Sequence, residues 1–323
     1  MAGEGVPLKF ALSSYGHTAE LKRGAIPISG IAPIFDPVTN MIEAYRRMVR
    51  SVEFDISELA PTTYFAARLA GARYTALPIF VMRRFHHGGL VCRRDADIAE
   101  PRDLEGKKVG VRAYSVTSGV WTRGILAEDH SVDNDKITWV VDSEEHVATM
   151  RLPPNVVRAP AGRQLGDMLT QGELHAAFAG LPGMGAAGPA SKEPKPGEQS
   201  LHELFPDPEA VEAAWFARTG IYPVHALIVV KDEILAAHPG LPRALFDAFT
   251  QAKDRYVTRL LAGHGDSADD RKYQALARVV GDPLPYGLAA NRRSIETLLA
   301  YSHAQGLIPR CPPVEELFID PTA

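Results

Sequence analysis

Hydrophobic positions along this chain recur with two different periods, and the segments they define alternate. Residues 9–13 form a first short strand, within the run Leu8-Lys9-Phe10-Ala11-Leu12. Met41, Ala44, Tyr45 and Met48 recur at helical spacing over residues 38–49. Val52-Glu53-Phe54-Asp55-Ile56 alternates with period two and predicts a second strand, with an alanine-rich helix after it over 64–70. Ala76-Leu77-Pro78-Ile79-Phe80-Val81 reads as a buried strand with Pro78 at its edge or start. A second series opens with the turn and strand of Leu104 to Val111, then a helix over about 118–128 and strands at 137–141 and 176–180. Residues 181–200 are rich in Gly, Pro and Ala and predict a long loop. Ala226-Leu227-Ile228-Val229-Val230 predicts the strand that returns the chain to the first lobe, and the remaining tail is mainly helical. Strands alternating with helices favour an α/β fold with parallel sheets covered on both faces.

In open parallel sheets, ligands bind beyond the carboxyl ends of the strands, so the residues just past each strand bear on function. Ser13, Ser14, Tyr15, Gly16 and His17 come after the first strand, and Ser57 and Glu58 after the second. Arg83, Arg84, Phe85, His86 and His87 come after the third. In the second series come Arg112, Tyr114, Ser115 and Thr117, then Trp121 and Arg123, while Tyr222 and His225 flank the return segment. Cations, aromatic rings and polar groups at these ends suit an anionic aromatic ligand. The Gly180 to Gly188 stretch lacks the Lys-Ser/Thr ending of a phosphate loop.

Composition narrows the class. At 323 residues the chain is too long for one typical core and suits two lobes. A formal charge of −4 gives no basic footprint for nucleic acid, and no apolar run reaches the roughly 18 residues of a membrane span. The first residues show no basic region, apolar run or cleavage site, which gives a cytoplasmic expectation. Two cysteines, Cys92 and Cys311, read as reduced thiols.

Seven collinear stretches point to a family. They are Asp55-Ile56-Ser57-Glu58-Leu59, Arg83-Arg84-Phe85-His86-His87, Leu104 to Val111, Gly119 to Leu126, Trp215 to Pro223, Asp282 to Gly287 and Gln305 to Pro309. Over nearly the whole chain the sequence resembles the 4,5-dihydroxyphthalate decarboxylase family. That resemblance implies a two-lobed type II periplasmic-binding-protein-like fold, with a ligand cleft between the lobes, and non-oxidative loss of a carboxylate from a dihydroxylated aromatic acid. Arg83, His87, Tyr114, Thr117, Trp121 and Arg123 carry over, whereas His86 stands where better-known members have arginine and Arg112 departs from a Gly-Val-Pro-Glu-Tyr pattern.

The chemistry assigns candidate roles. An arginine fork suits a retained carboxylate, and Arg83, Arg84, Arg112 and Arg123 compete for it. A general acid must protonate the ring carbon that loses CO2. His87 leads because histidine titrates near neutrality, with His86 and His225 behind it. Glu58 either offsets a helix dipole or accepts a ring hydroxyl or orients a histidine. Tyr114 and Trp121 would sandwich the ring, and Ser57, Thr117, Tyr15 and Tyr222 complete the binding set. Adjacent His86 and His87 diverge in extended chain, which argues against a metal, and a para hydroxyl makes the ring its own electron sink, so no cofactor is required.

The sequence expectation is therefore a cytoplasmic carboxy-lyase acting on a small aromatic carboxylate, with no nucleic-acid or membrane partner and with homo-oligomerisation left open. Residues 1–91 and 226–323 would form one lobe and 92–225 the other, hinged near Leu90 to Arg93 and Val224 to Ile228. Two alternatives share the fold: a transport or sensory binding protein for an aromatic carboxylate, and another lyase such as a chorismate-dehydratase-like enzyme.

Overall fold

The computed structural model describes residues 5–179 and 201–322. The expected loop at 181–200 and the glycine stretch from Gly180 to Gly188 lie outside them. In chain order the strands are β1 (Val6–Ala11), β2 (Ile31–Phe35), β3 (Ile56–Leu59), β4 (Tyr74–Arg83), β5 (Leu90–Arg93) and β6 (Lys108–Gly110). They continue as β7 (Thr138–Val141), β8 (Val156–Arg158), β9 (Ala176–Phe178), β10 (Leu201–Glu203) and β11 (Val224–Lys231). The chain forms two compact units, one of Met1–Arg84, Val224–Leu299 and Arg310–Ala323, the other of Phe85–Pro223 and Ala300–Pro309.

The first unit holds a five-stranded sheet in the order β2-β1-β3-β11-β4. β1 runs parallel to β2 and β3, but β11 runs antiparallel to both β3 and β4. The sheet is therefore mixed, not parallel as expected. The return strand inserts between two strands of the outgoing chain, so its first residues lie at the carboxyl end of β4. Leu8, Phe10, Ile56, Leu77, Ile79, Ala226, Ile228 and Val230 bury one face against Leu241, Leu245, Ala248 and Phe249 of the helix Leu241–Leu261. Pro78 lies inside β4 and not at its start, but β4 is an edge strand of the sheet, as the proline suggested, and its pairing with β11 jumps from Leu77 to Met82, so the residue with no N–H falls in the irregular stretch.

The strand expected at Val52 to Ile56 begins only at Ile56. Val52 takes a left-handed φ of 46° and ends the helix Met41–Ser51. The alternation there belongs to a charge cluster: Glu53 accepts from Lys9 Nζ at 2.9 Å and Arg47 Nε at 2.7 Å, with both cations over the buried Phe54 ring.

The second unit holds a six-stranded sheet, β10-β5-β9-β6-β7-β8. β9, β6, β7 and β8 are parallel, β5 runs antiparallel to β9, and β10, at the edge, runs antiparallel to β5. Leu90–Arg93, expected as a hinge crossing, is instead strand β5 within this sheet. Leu165, Met168 and Leu169 of the helix Leu165–Thr170 cover Val140 and Ala177. Among the described residues no helix is long and apolar enough to cross a membrane.

Candidate functional site

In the first unit, chemistry gathers where β1 and β3 end. Alternation along β3 puts Glu58 on the same face as core residue Ile56 and turns Ser57 away from it. Glu58 lies within the strand, not after it, and is 1% exposed. Its Oε1 accepts from Tyr15 Oη at 2.8 Å and Tyr45 Oη at 2.7 Å, and its Oε2 accepts from the Ser13 amide at 3.1 Å. Glu58 thus holds two tyrosines and orients no histidine. Ser57 Oγ donates to the Glu58 carbonyl at 2.8 Å, a use internal to the strand. Tyr45 stands out in the sequence only as part of a helical stripe, and nothing local marks it as a partner of Glu58.

Thr18 shapes the loop after β1. Its hydroxyl accepts from the Tyr15 amide at 3.0 Å and donates toward the Ser13 carbonyl at 3.2 Å. The turn stacks Tyr15 on His17 with centroids 5.1 Å apart and planes 5° apart. Tyr256 and Tyr273 enclose His17 at 5.8 and 6.1 Å. Burial lowers the His17 pKa to about 4, with nearby Lys253 adding to the shift and the Val81 carbonyl opposing it.

At the carboxyl end of β4, Arg83 and Arg84 separate. Arg83 is 1% exposed, and its guanidinium donates to Asn291 Oδ1 and, at 3.3 Å, to the Pro285 carbonyl. Arg84 is exposed, with Nη2 at 3.5 Å from His225 Nε2. His225 is half-buried, and its pKa falls well below the ordinary value, first by burial and then by the cations of Arg84 and Lys272. Arg84, more than Arg83, is placed to meet a ligand carboxylate.

The second unit builds its own cluster at the ends of β6 and β7. Glu145, which carries no local signature in the sequence, is 7% exposed and accepts from the amides of Tyr114 at 2.6 Å and Ser115 at 3.2 Å and from the Ser115 hydroxyl. Arg123 is fully buried on the helix Thr117–His130. Its Nε donates to Gln305 at 2.7 Å, its Nη2 to the Tyr114 carbonyl at 2.5 Å, and its guanidinium lies 3.9 Å from the Tyr114 ring centroid. Burial lowers its pKa to about 10, which leaves it charged. These contacts tie Arg123 to protein groups through Nε and Nη2, while its buried Nη1 has no hydrogen-bond partner among the described residues. Arg112 is half-buried, and Thr117 is buried.

His86 and His87 lie in a bend after β4 and meet different rings. His86 lies parallel to fully buried Trp121 at 6.4 Å, while His87 faces Trp215 at 5.2 Å and Phe205 at 5.8 Å. Tyr222 packs on Phe85 at 5.3 Å. Neither ring nitrogen of His87 has a hydrogen-bond partner among the described residues, and burial lowers its pKa to about 4, with Asp129 opposing. The near-neutral titration that recommended His87 as an acid is absent in this state; the ring is a neutral imidazole.

Known proteins share this architecture. A curated 4,5-dihydroxyphthalate decarboxylase of Comamonas testosteroni is 31% identical over 328 residues, covering 96% of this chain and 96% of its own. The chain belongs to the 4,5-dihydroxyphthalate decarboxylase family. A second member, from Pseudomonas putida, is 32% identical over 65% of this chain and 81% of its own. Residues 31–152 also match the family model described as an ABC transporter, phosphonate, periplasmic substrate-binding protein.

Solved structures show how this family member is folded. A putative periplasmic sulfonate-binding protein, SsuA, from Methylobacillus flagellatus aligns with a TM-score of 0.59 at 11% identity, covering 98% of this chain and 92% of its own. A desulfurization enzyme, DszB, aligns with a TM-score of 0.54 at 14% identity over 97% of this chain and 96% of its own. This chain therefore has the fold of periplasmic binding proteins.

Proposed function

We propose that this protein is a carboxy-lyase that removes a carboxylate, without oxidation, from a hydroxylated aromatic acid such as 4,5-dihydroxyphthalate. The observation that carries this reading is the 31% identity to a curated 4,5-dihydroxyphthalate decarboxylase over 96% of both chains. The chemistry at the strand ends supports it. A proton adds to the ring carbon that bears the carboxylate, the carbon–carbon bond breaks, its electron pair restores the aromatic ring, and CO2 leaves.

Exposed Arg84, beside His225, is the group we assign to the retained carboxylate. His87 remains our candidate acid by a specific route. A substrate carboxylate brought against its desolvated ring favours the imidazolium, so the ring is charged only when substrate is present. We further propose a cytoplasmic setting, consistent with the free thiols of Cys92 and Cys311.

A second reading, a binding protein for an aromatic carboxylate, is favoured by the match of residues 31–152 to a substrate-binding family. One experiment separates the two: CO2 release from the purified protein with a panel of dihydroxybenzoates and dihydroxyphthalates, repeated with His87→Gln. Release from a dihydroxyphthalate that falls at least about 100-fold in the variant supports the decarboxylase and its acid. Tight binding without release across the panel supports the binding protein.

A further inference from the structure

Glu58 is a buried carboxylate whose described partners are all neutral. Both tyrosines donate to a single oxygen, Oε1, and the Ser13 amide donates to the other. Lys22, whose charge Glu58 favours, spends its ammonium on the Leu12 carbonyl at 2.9 Å and the Ser14 hydroxyl at 2.8 Å. Two phenols thus direct their protons at one carboxylate group.

Tyr15 and Tyr45 are both half-buried, and of the two it is Tyr15 that follows the carboxyl end of a strand, where ligands bind in such sheets. Glu58 is 1% exposed, whereas Tyr15 is half-buried on the loop after β1, with its ring fixed by stacking on His17. Burial and the Glu58 charge hold its phenol well above the ordinary range, so it stays protonated. A phenol that gives its proton to a carboxylate becomes a better acceptor on its own oxygen, because hydrogen bonds in a chain polarise one another.

We infer that Tyr15, positioned and polarised by Glu58, accepts a hydrogen bond from the substrate hydroxyl para to the departing carboxylate, and so selects for that hydroxyl. The inference rests on the decarboxylase reading and adds the substrate feature it requires. When the ring carbon gains its proton, positive charge spreads to the para carbon and its oxygen. That hydroxyl becomes a stronger donor, so its bond to Tyr15 tightens in the transition state, which raises kcat more than it lowers KM. The hydroxyl keeps its proton throughout, and the electron pair of the broken carbon–carbon bond restores the ring.

A methyl ether supplies electrons to the ring but cannot donate a hydrogen bond, and this isolates the interaction. CO2 release and calorimetric binding are measured for 4,5-dihydroxyphthalate and 4,5-dimethoxyphthalate with the wild-type chain, Tyr15→Phe and Glu58→Gln. The wild type should prefer the dihydroxy acid. In Tyr15→Phe, kcat for that acid should fall about 10- to 100-fold with KM changed less than about threefold, and the preference should collapse. Glu58→Gln should lose part of the same preference. An unchanged preference in Tyr15→Phe, with the wild type active, overturns the inference and leaves the decarboxylase standing. No CO2 from any acid in the wild type overturns both. If Tyr15→Phe does not fold by circular dichroism, Glu58→Gln decides: an unchanged ratio there overturns the inference.

Discussion

Two histidines and one arginine show what burial does to groups with familiar chemistry. His17 and His87 are each lowered to about 4, first by desolvation. In the unfolded chain a histidine titrates near 6.5, so between that value and about 4 the unfolded state binds more protons. Stability is full above pH 6.5 and is lost as pH falls toward 4, by up to about 3 kcal/mol for each ring. Urea midpoints measured from pH 7 to pH 5 should fall steadily, and His87→Phe should flatten that slope. Arg123 gives the complementary case. Gln305 and Tyr114 take its Nε and Nη2, so Arg123→Lys should cost roughly 1–3 kcal/mol in urea denaturation, because an ammonium cannot reproduce both bonds. A ligand-clamping arginine would instead lose affinity at an unchanged midpoint.

At the scale of elements, the helix Thr117–His130 is governed by its glycines. A glycine inside a helix ordinarily costs about 1 kcal/mol against alanine, so Gly124→Ala would be expected to stabilise. Here a Cβ on Gly124 would stand 2.0 Å from Cδ2 and 2.3 Å from Cγ of the Tyr301 ring. Gly124→Ala should therefore destabilise, by about 1–3 kcal/mol, as thermal unfolding would show. Gly119 is similar: its missing Cβ leaves room for Arg123 Nη1, which would lie 2.9 Å away. The helix Met41–Ser51 starts conventionally, with Asn40 Oδ1 accepting from the Ile42 amide at 3.0 Å, so Asn40→Ala should cost about 1 kcal/mol by the same measurement.

For the whole molecule, the proposed ligand is the lever. A carboxylate ligand that binds only the folded chain stabilises it by about 2.7 kcal/mol at a hundred times its Kd. A dihydroxyphthalate should therefore raise Tm in proportion to the logarithm of its concentration, and Arg84→Ala should shift that curve to higher ligand. Each sheet is mixed, because each takes in one strand that runs against its parallel set, β11 in the first and β5 in the second. In the first unit this brings His225 to the end of β4, which local patterning could not announce.

The residues by themselves determined the alternation of strands and helices, the carboxyl-end loops rich in cations and rings, and the family likeness that the comparisons show. These are legible because hydrophobic period and short motifs are local properties. Strand direction was not legible, nor were the short strands β5, β8 and β10, since three or four residues carry too little pattern. Above all, exposure was not. Arg83 and Arg84 are neighbours in the chain, yet one is bonded to Asn291 and the other is exposed. Glu58 gained Tyr15 and Tyr45 from 43 and 13 residues away. Which polar group is buried and what it meets depend on chain segments brought together only by folding. Desolvation and long-range hydrogen bonds set those side chains' charge and reach, and hence their chemistry.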